Sequence, residues 1–320
     1  MKKLFFLLIF LIPFSVNAKS TILMDMDTER IYYSENINEV RSVASISKVM
    51  TCILAIESGK LFEEVTIGDE INSAYGSAIY ITKGEKMLLI DLLYGLMLRS
   101  GNDAALAISN YVSKDFVKLM NEKAKEIGMT NTTFNNPSGL DIEGKGNFST
   151  ALDMAKLTIY AYKNEIFRQI ISTKKYTLKT NKNTYLWINK HKLLHSKKYV
   201  VGGKTGFTDI ARRTLITIGS KDNMNLVVVT LNDSDDFNNH IKLLEYGFNK
   251  YKNYEILKKG YFNLIPDNNY RYYLDENFNY NLSKEELNHL CIKILFDSKN
   301  NALLNLYLDD KKIYENKLLY

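Results

Sequence analysis

Three short patterns carry the residues that could do chemistry. The first is Ser45-Ile46-Ser47-Lys48. On a helix, residues i and i+3 share one face with Cβ atoms about 5–6 Å apart. The lysine amine is then within reach of the serine hydroxyl. Serine is a poor nucleophile until a base removes its proton. Lysine can be that base only if desolvation or a second cation lowers its pKa. The pattern therefore demands another positive residue nearby and a partly dry pocket. Alone it is weak, because roughly one or two S-x-x-K matches arise by chance in a chain of this size. Ser172-Thr173-Lys174-Lys175 is a second match and reads as a solvated decoy.

The second pattern is Ser100-Gly101-Asn102. Ser15, Ser34 and Ser298 also begin an S-x-N, but Ser100 follows a strongly apolar segment, residues 89–99. Burial there requires partners for the Ser100 hydroxyl and the Asn102 amide. The competing reading is a plain helix N-cap. The third is Lys204-Thr205-Gly206, which closes a Val-rich strand and occurs once. Chance would place K-T-G in about one chain in ten. Gly206 would admit a ligand backbone at close range. Lys204 would be the second cation and would attract a carboxylate, to which Thr205 would donate its hydroxyl. The competing reading is an edge strand with a solvated lysine.

The elements around these patterns follow from periodicity and punctuation. Residues 21–24 and 30–33 read as a β-hairpin. Residues 45–58 show helical spacing with Gly59 as the stop. Residues 104–111 and 114–127 read as surface helices, 135–139 as a loop, and 150–162 as a further helix. Residues 199–206 form a strand, 214–218 and 226–231 a hairpin, and 237–251 a closing helix. From about residue 254 the pattern changes to short strands rich in Tyr, Leu and Ile, at 291–296, 303–308 and 313–318.

Composition sets the outer limits. The chain has 320 residues, 46% hydrophobic and 24% charged, with only three prolines and a net charge of +6. This excludes a disordered tail, a collagen and a disulfide-knotted mini-protein. The mild basic excess falls short of a nucleic-acid binder, which needs its charge clustered on one face. Lys2 and Lys3 precede an apolar run at residues 4–16, and Val16-Asn17-Ala18 resembles a signal-peptidase site. Residues 1–18 thus read as a secretory signal peptide, too short for an ordinary membrane span. Residues 19–252 follow as the main domain and 253–320 as a small β domain. Membrane contact is expected only if the signal peptide is retained. Cys52 and Cys291 read as free, buried thiols. No metal or organic cofactor is implied, since nucleophile and base are both side chains.

The order S-x-x-K, S-x-N, K-T-G is that of the penicillin-recognising serine enzymes. In detail the chain resembles the D-alanyl-D-alanine carboxypeptidases among the low-molecular-mass penicillin-binding proteins. The resemblance rests on Ala44-Ser45-Ile46-Ser47-Lys48-Val49-Met50-Thr51, Gly76-Ser77 with Gly84-Glu85, and Asp91-Leu92-Leu93-Tyr94-Gly95-Leu96. It continues through Ser100-Gly101-Asn102-Asp103-Ala104, Asn136-Pro137-Ser138-Gly139-Leu140, Ser149-Thr150, Asp153-Met154-Ala155, Lys192-Leu193-Leu194 and Gly203-Lys204-Thr205-Gly206-Phe207-Thr208.

The resemblance implies an α/β (α+β) β-lactamase/transpeptidase-like catalytic domain, an antiparallel sheet flanked by helices, plus a small all-β C-terminal domain. It implies that Ser45 attacks the peptide bond between two terminal D-alanines of a peptidoglycan stem peptide. Lys48 would take its proton and Ser100 would pass one to the leaving D-alanine. Asn102 would bind the substrate's amide side, and Lys204 and Thr205 its carboxylate. The N–H groups of Ser45 and Phe207, beside Gly206, would form the oxyanion hole. β-Lactams would acylate Ser45 and stay. The chain departs from the family pattern in two places. Asn189-Lys190-His191-Lys192-Leu193-Leu194 stands where Asn-x-Asn-Lys-Leu-Leu is usual, and Ala211-Arg212-Arg213 where a small Ala-Gly pair is common. The family's frequent C-terminal amphipathic helix has no counterpart before Tyr320.

Other readings fare worse. A class A β-lactamase needs a Glu in an E-x-x-L-N context between S-x-N and K-T-G; Glu286-Leu287-Asn288 lies far beyond Lys204. A zincin needs H-E-x-x-H, whereas His191-Lys192-Leu193-Leu194-His195 carries a lysine in the glutamate slot and reads as two ordinary polar positions. A Ser-His-Asp hydrolase would show a G-x-S-x-G elbow, which is missing. A non-catalytic peptidoglycan-binding protein of the same fold would not need Ser45, Lys48, Ser100, Asn102 and Lys204 together.

Overall fold

The computed structural model describes residues 19–141, 144–263, 271–297 and 301–318. The expected signal peptide lies outside them. At the centre is a five-stranded sheet built from β1 (Ser20–Asp25), β2 (Ile31–Glu35), β3 (Val200–Thr208), β4 (Arg212–Lys221) and β5 (Met224–Leu231). Its order is β2-β1-β5-β4-β3, with every neighbouring pair antiparallel. The β4–β5 turn is Asp222-Asn223, with φ of 51° and 60°. Two successive left-handed residues are what a tight hairpin with native twist requires, and Asp and Asn tolerate them.

Helices cover both faces of this sheet. On one side lie α1 (Lys48–Glu57), α2 (Leu89–Arg99), α3 (Asn102–Val112), α4 (Phe116–Glu126), α5 (Ala151–Tyr162) and α6 (Glu165–Ser172). Their core residues pack with Ile22, Ile216, Val227 and Val229. On the other side α7 (Lys192–Ser196) and α8 (Asp236–Lys250) pack Leu193, Leu244 and Phe248 onto Leu23, Leu226 and Val228. Coverage on both faces explains why β5 reads Leu-Val-Val-Val without polar alternation. Residues 104–111 are not a surface helix as expected. Asn102, Asp103, Ala104, Ala105, Ala107 and Ile108 of α3 are buried, because small side chains let the helix sit deep against α1 and α2.

Beyond Lys250, the described regular structure is β, with one 3-10 turn at Glu286–His289. Strand β6 (Tyr251–Leu257) pairs with β7 (Phe278–Ser283), and β8 (Leu290–Phe296), β9 (Ala302–Leu308) and β10 (Lys311–Leu318) form a three-stranded sheet. These strands enclose their own apolar cluster around Tyr272, Leu274, Leu304 and Leu306. Arg30 ties them to the central sheet by donating to the Asn281 carbonyl at 2.7 Å and pairing with Glu286. Cys52 is buried, but Cys291 is exposed, contrary to expectation. It lies on β8, an edge strand with several exposed side chains.

Candidate active site

Ser45 stands one turn earlier than helical spacing suggests. It belongs to a 3-10 turn, Ala44–Ser47, and α1 begins at Lys48. Ala44 has φ of 50°, a left-handed conformation uncommon for a residue with a side chain. The corner aims Ser45 outward, half-buried, while Lys48 points into the core with no exposed surface. The i to i+3 relation holds all the same. Lys48 Nζ lies 3.0 Å from Ser45 Oγ and 2.7 Å from Asn102 Oδ1, and it also donates to the Ser138 carbonyl.

The loop at residues 135–139 delivers that carbonyl. Asn136 Oδ1 accepts from the Ser138 N–H at 3.1 Å and the Gly139 N–H at 2.7 Å, curling the loop. Thr51 of α1 pins it by donating to the Pro137 carbonyl at 2.6 Å. Gly139 has φ of 80°, and a Cβ there would lie 2.0 Å from the Ala44 carbonyl oxygen. Only glycine lets this loop press against the turn that carries Ser45.

Ser100 ends α2 with φ of 64°, a second left-handed residue, and so turns the chain into α3 at Asn102. The Asn102 side chain donates to the Tyr75 carbonyl at 2.6 Å while its oxygen faces Lys48. Asp103 fixes this corner from behind, accepting from the backbone N–H groups of Ile79, Tyr80 and Ile81. The opposite wall is β3, an edge strand. Lys204 is buried, and its Nζ donates to Ser100 Oγ at 3.0 Å and to the Thr205 carbonyl at 2.7 Å. A Cβ on Gly206 would lie 3.0 Å from the Ser45 nitrogen and 2.4 Å from Thr214 Oγ1. The absent side chain leaves β3 close to the backbone N–H of the candidate nucleophile.

The electrostatics follow from this packing. Burial, then the positive charges of Lys204 and Lys190, hold Lys48 well below the usual lysine range, while Asp103 opposes the shift. Burial, with Lys190 assisting, lowers Lys204 to about 7. Both amines are pushed toward the neutral form that accepts protons.

Ser45, Ser100, Thr205, Gly206 and Phe207 line one cavity of about 320 Å³ together with Ser77, Lys190, Lys192, Arg213, Asp236 and Phe237. Lys48, Asn102 and Lys204 support it from beneath. All eight residues picked from the sequence thus converge. Sequence reasoning did not single out the Ser138 carbonyl, Lys190, Arg213 or Asp236. Lys190 and Arg213 left a trace as positive charges in the two stretches that depart from the family pattern.

The decoy reading of Ser172-Thr173-Lys174-Lys175 fits the structure. Ser172 ends α6, and the exposed Lys175 starts a separate hairpin. His191 is not an ordinary polar position. It is fully buried, with Nε2 3.1 Å from the Ile216 carbonyl and 3.0 Å from Thr217 Oγ1. Burial lowers it to about 4, so it is neutral at physiological pH. His195 is separately occupied with the Asn189 carbonyl. Among the described residues no group of His, Cys, Asp and Glu could hold a metal ion.

Residues 11–235 match the family model described as D-alanyl-D-alanine carboxypeptidase, peptidase family S11. The chain belongs to this family. It is 34% identical over 255 residues to the D-alanyl-D-alanine carboxypeptidase DacF of Bacillus subtilis, a match covering 76% of this chain and 65% of DacF. DacC of Escherichia coli is also 34% identical, over 73% of this chain and 62% of its own length. The chain therefore spans a little under two thirds of these two relatives. The crystal structure of penicillin binding protein 6B from Escherichia coli superposes with a TM-score of 0.75 at 27% identity, covering 94% of both chains. Arg212 holds a left-handed φ of 56°, a strained choice for a side-chain-bearing residue.

Proposed function

We propose that this protein is an exported serine-type D-alanyl-D-alanine carboxypeptidase. Residues 1–18 direct export, 19–252 form the catalytic domain, and 253–320 form a β module that holds it at a distance or binds a partner. The substrate is a peptidoglycan stem peptide ending in D-Ala-D-Ala. One observation carries this reading: a fully buried Lys48 amine, biased toward neutrality, lies 3.0 Å from the Ser45 hydroxyl.

Neutral Lys48 takes the Ser45 proton as Oγ bonds to the penultimate carbonyl carbon. The developing oxyanion is held by the N–H groups of Ser45 and Phe207, the geometry that stabilises tetrahedral charge. Collapse breaks the C–N bond. The departing amine takes the Ser100 hydroxyl proton, which Lys48 replaces with the one it took from Ser45, leaving Lys48 neutral; Lys204 Nζ holds Ser100 Oγ in place. Water then attacks the acyl-enzyme, Lys48 again serves as base, and Ser45 is restored.

A β-lactam enters the same route, but its leaving group stays tethered after acylation. Asp236 is the one carboxylate lining the cavity, and it is engaged by Arg213. With the leaving group still in the cavity and no free carboxylate there to activate water past it, β-lactam hydrolysis should be slow. Fluorescent penicillin should label the protein covalently, and Ser45→Ala should abolish the label. Incubation with a D-Ala-D-Ala pentapeptide should release free D-alanine. Labelling that survives Ser45→Ala, or a pentapeptide left intact, would contradict the assignment.

A further inference from the structure

The mechanism above leaves a second, larger cavity unused. It measures about 940 Å³, against about 320 Å³ for the cavity over Ser45. Phe207 and Arg213 line both, so the two adjoin. The larger one opens at the tip of the β3–β4 hairpin, residues 209–212, and is walled opposite by residues 39–42 and Phe148. Part of its apolar lining is uncovered: Val40 is 53% exposed and Ile210 61%. Glu39 and Arg41 pair with each other at 2.8 Å. Asp209 and Arg212 are exposed at the tip, and among the described residues neither enters an ion pair. Opposite charges three residues apart that leave each other unpaired suit a ligand carrying both signs. Arg212 is also the residue with the left-handed φ of 56°. Backbone strain of this kind clusters at ligand sites, where the surrounding structure enforces it.

The carboxypeptidase reading fixes the direction of a bound peptide. Its terminal carboxylate lies at Lys204 and Thr205, and its attacked carbonyl at the Phe207 N–H. β3 is an edge strand, and a peptide laid along it advances about 3.3 Å per residue. The residue before the penultimate D-alanine therefore lies beyond Phe207, beside the hairpin tip, where the larger cavity begins. We propose that this cavity receives the side chain of the third residue from the substrate's C-terminus, and that it favours a long chain ending in both an amine and a carboxylate. Asp209 meets the amine, and the planar fork of Arg212 meets the carboxylate. Val40 and Ile210 cover the methylenes between. The inference deepens the carboxypeptidase reading and rests on it. It concerns neither the D-Ala-D-Ala terminus nor the residues that cleave it. Ala211-Arg212-Arg213 departs from the family pattern, so the charged tip is a feature of this chain.

The test uses the full chain and three peptides that end in X-D-Ala-D-Ala, where X is meso-diaminopimelate, L-lysine or L-norleucine. Release of D-alanine gives kcat/KM for each. The unsubstituted protein should prefer diaminopimelate over norleucine roughly 10- to 100-fold, the worth of two charge-assisted contacts, with lysine between. Arg212→Gly should reduce diaminopimelate roughly 5- to 20-fold relative to norleucine and bring it level with lysine. Asp209→Asn should lower diaminopimelate and lysine alike relative to norleucine. Melting of each variant checks that the fold is kept. Equal turnover of the three peptides by the unsubstituted protein, or variants that leave their ratios unchanged, would overturn the proposal. Penicillin labelling of Ser45 does not involve X and separates that result from failure of the activity. If the unsubstituted protein neither labels nor releases D-alanine from any peptide, the carboxypeptidase reading fails and this inference with it.

Discussion

Burying Lys204 should leave a measurable mark on stability. Burial lowers its pKa from the usual 10.5 to about 7. In the unfolded chain it stays protonated up to about 10.5. Between these values the unfolded state holds more protons, so stability rises with pH across that window. Each tenfold change in proton affinity is worth about 1.4 kcal/mol. At pH values below 7 the folded protein therefore carries a cost of about 5 kcal/mol for the desolvated ammonium. Lys204→Met removes that cost and also the bonds to Ser100 and Thr205, each worth about 1–3 kcal/mol. At pH 6 to 7 the cost removed and the bonds lost offset each other to within a few kcal/mol, so the slope is the diagnostic. Relative to the parent, the variant should lose about 3 kcal/mol of stability between pH 7 and pH 9.5. As a difference in Tm that is a decline of about 6–12 °C. Lys48 is also depressed, in part by Lys204, so its own slope weakens in the variant and adds to the decline. Urea or thermal unfolding of the pair at four pH values makes the measurement. A stability difference that does not change with pH would mean the ammonium is not desolvated, and the electrostatic account of the cavity would fail. Removing this cation should also raise the Lys48 pKa and move the acid limb of acylation to higher pH.

Three further outcomes are expected. Gly139→Ala combines a left-handed φ with a Cβ against the Ala44 carbonyl, so it should cost about 2–5 kcal/mol and slow penicillin acylation, read by melting and by labelling rate. Arg212→Gly relieves the strained φ of 56° and should raise Tm by about 1–3 °C; a lower Tm would mean the side chain repays its strain. Thiol titration of the native protein should find Cys291 reactive and Cys52 protected, because Cys52 is buried and burial pushes its pKa up; prompt reaction of both would contradict the packing of α1.

The local sequence carried much of this protein. Apolar spacing marked the helices at 45–58 and 150–162 and the hairpin of 214–218 with 226–231, because these are short-range preferences of backbone and side chain, whereas 89–99 was legible only as an apolar segment. Ser45, Lys48, Ser100, Asn102 and the Lys204-Thr205-Gly206 triplet were legible as residue types with a shared chemistry. What spacing did not carry was depth and contact. The small side chains of α3 looked like those of a surface helix until α1 and α2 closed over them. Cys291 looked buried until β8 proved to be an edge. His191 looked like an ordinary polar position, yet it sits buried against Ile216 and Thr217 of β4, 25 and 26 residues on. The left-handed corners at Ala44 and Ser100 are imposed by packing against their local preference. The contact of Lys48 with the Ser138 carbonyl spans 90 residues, and that of Lys204 with Ser100 spans 104. Such convergence depends on which surfaces the folded chain brings together, and so does the desolvation that turns an ordinary lysine into a base.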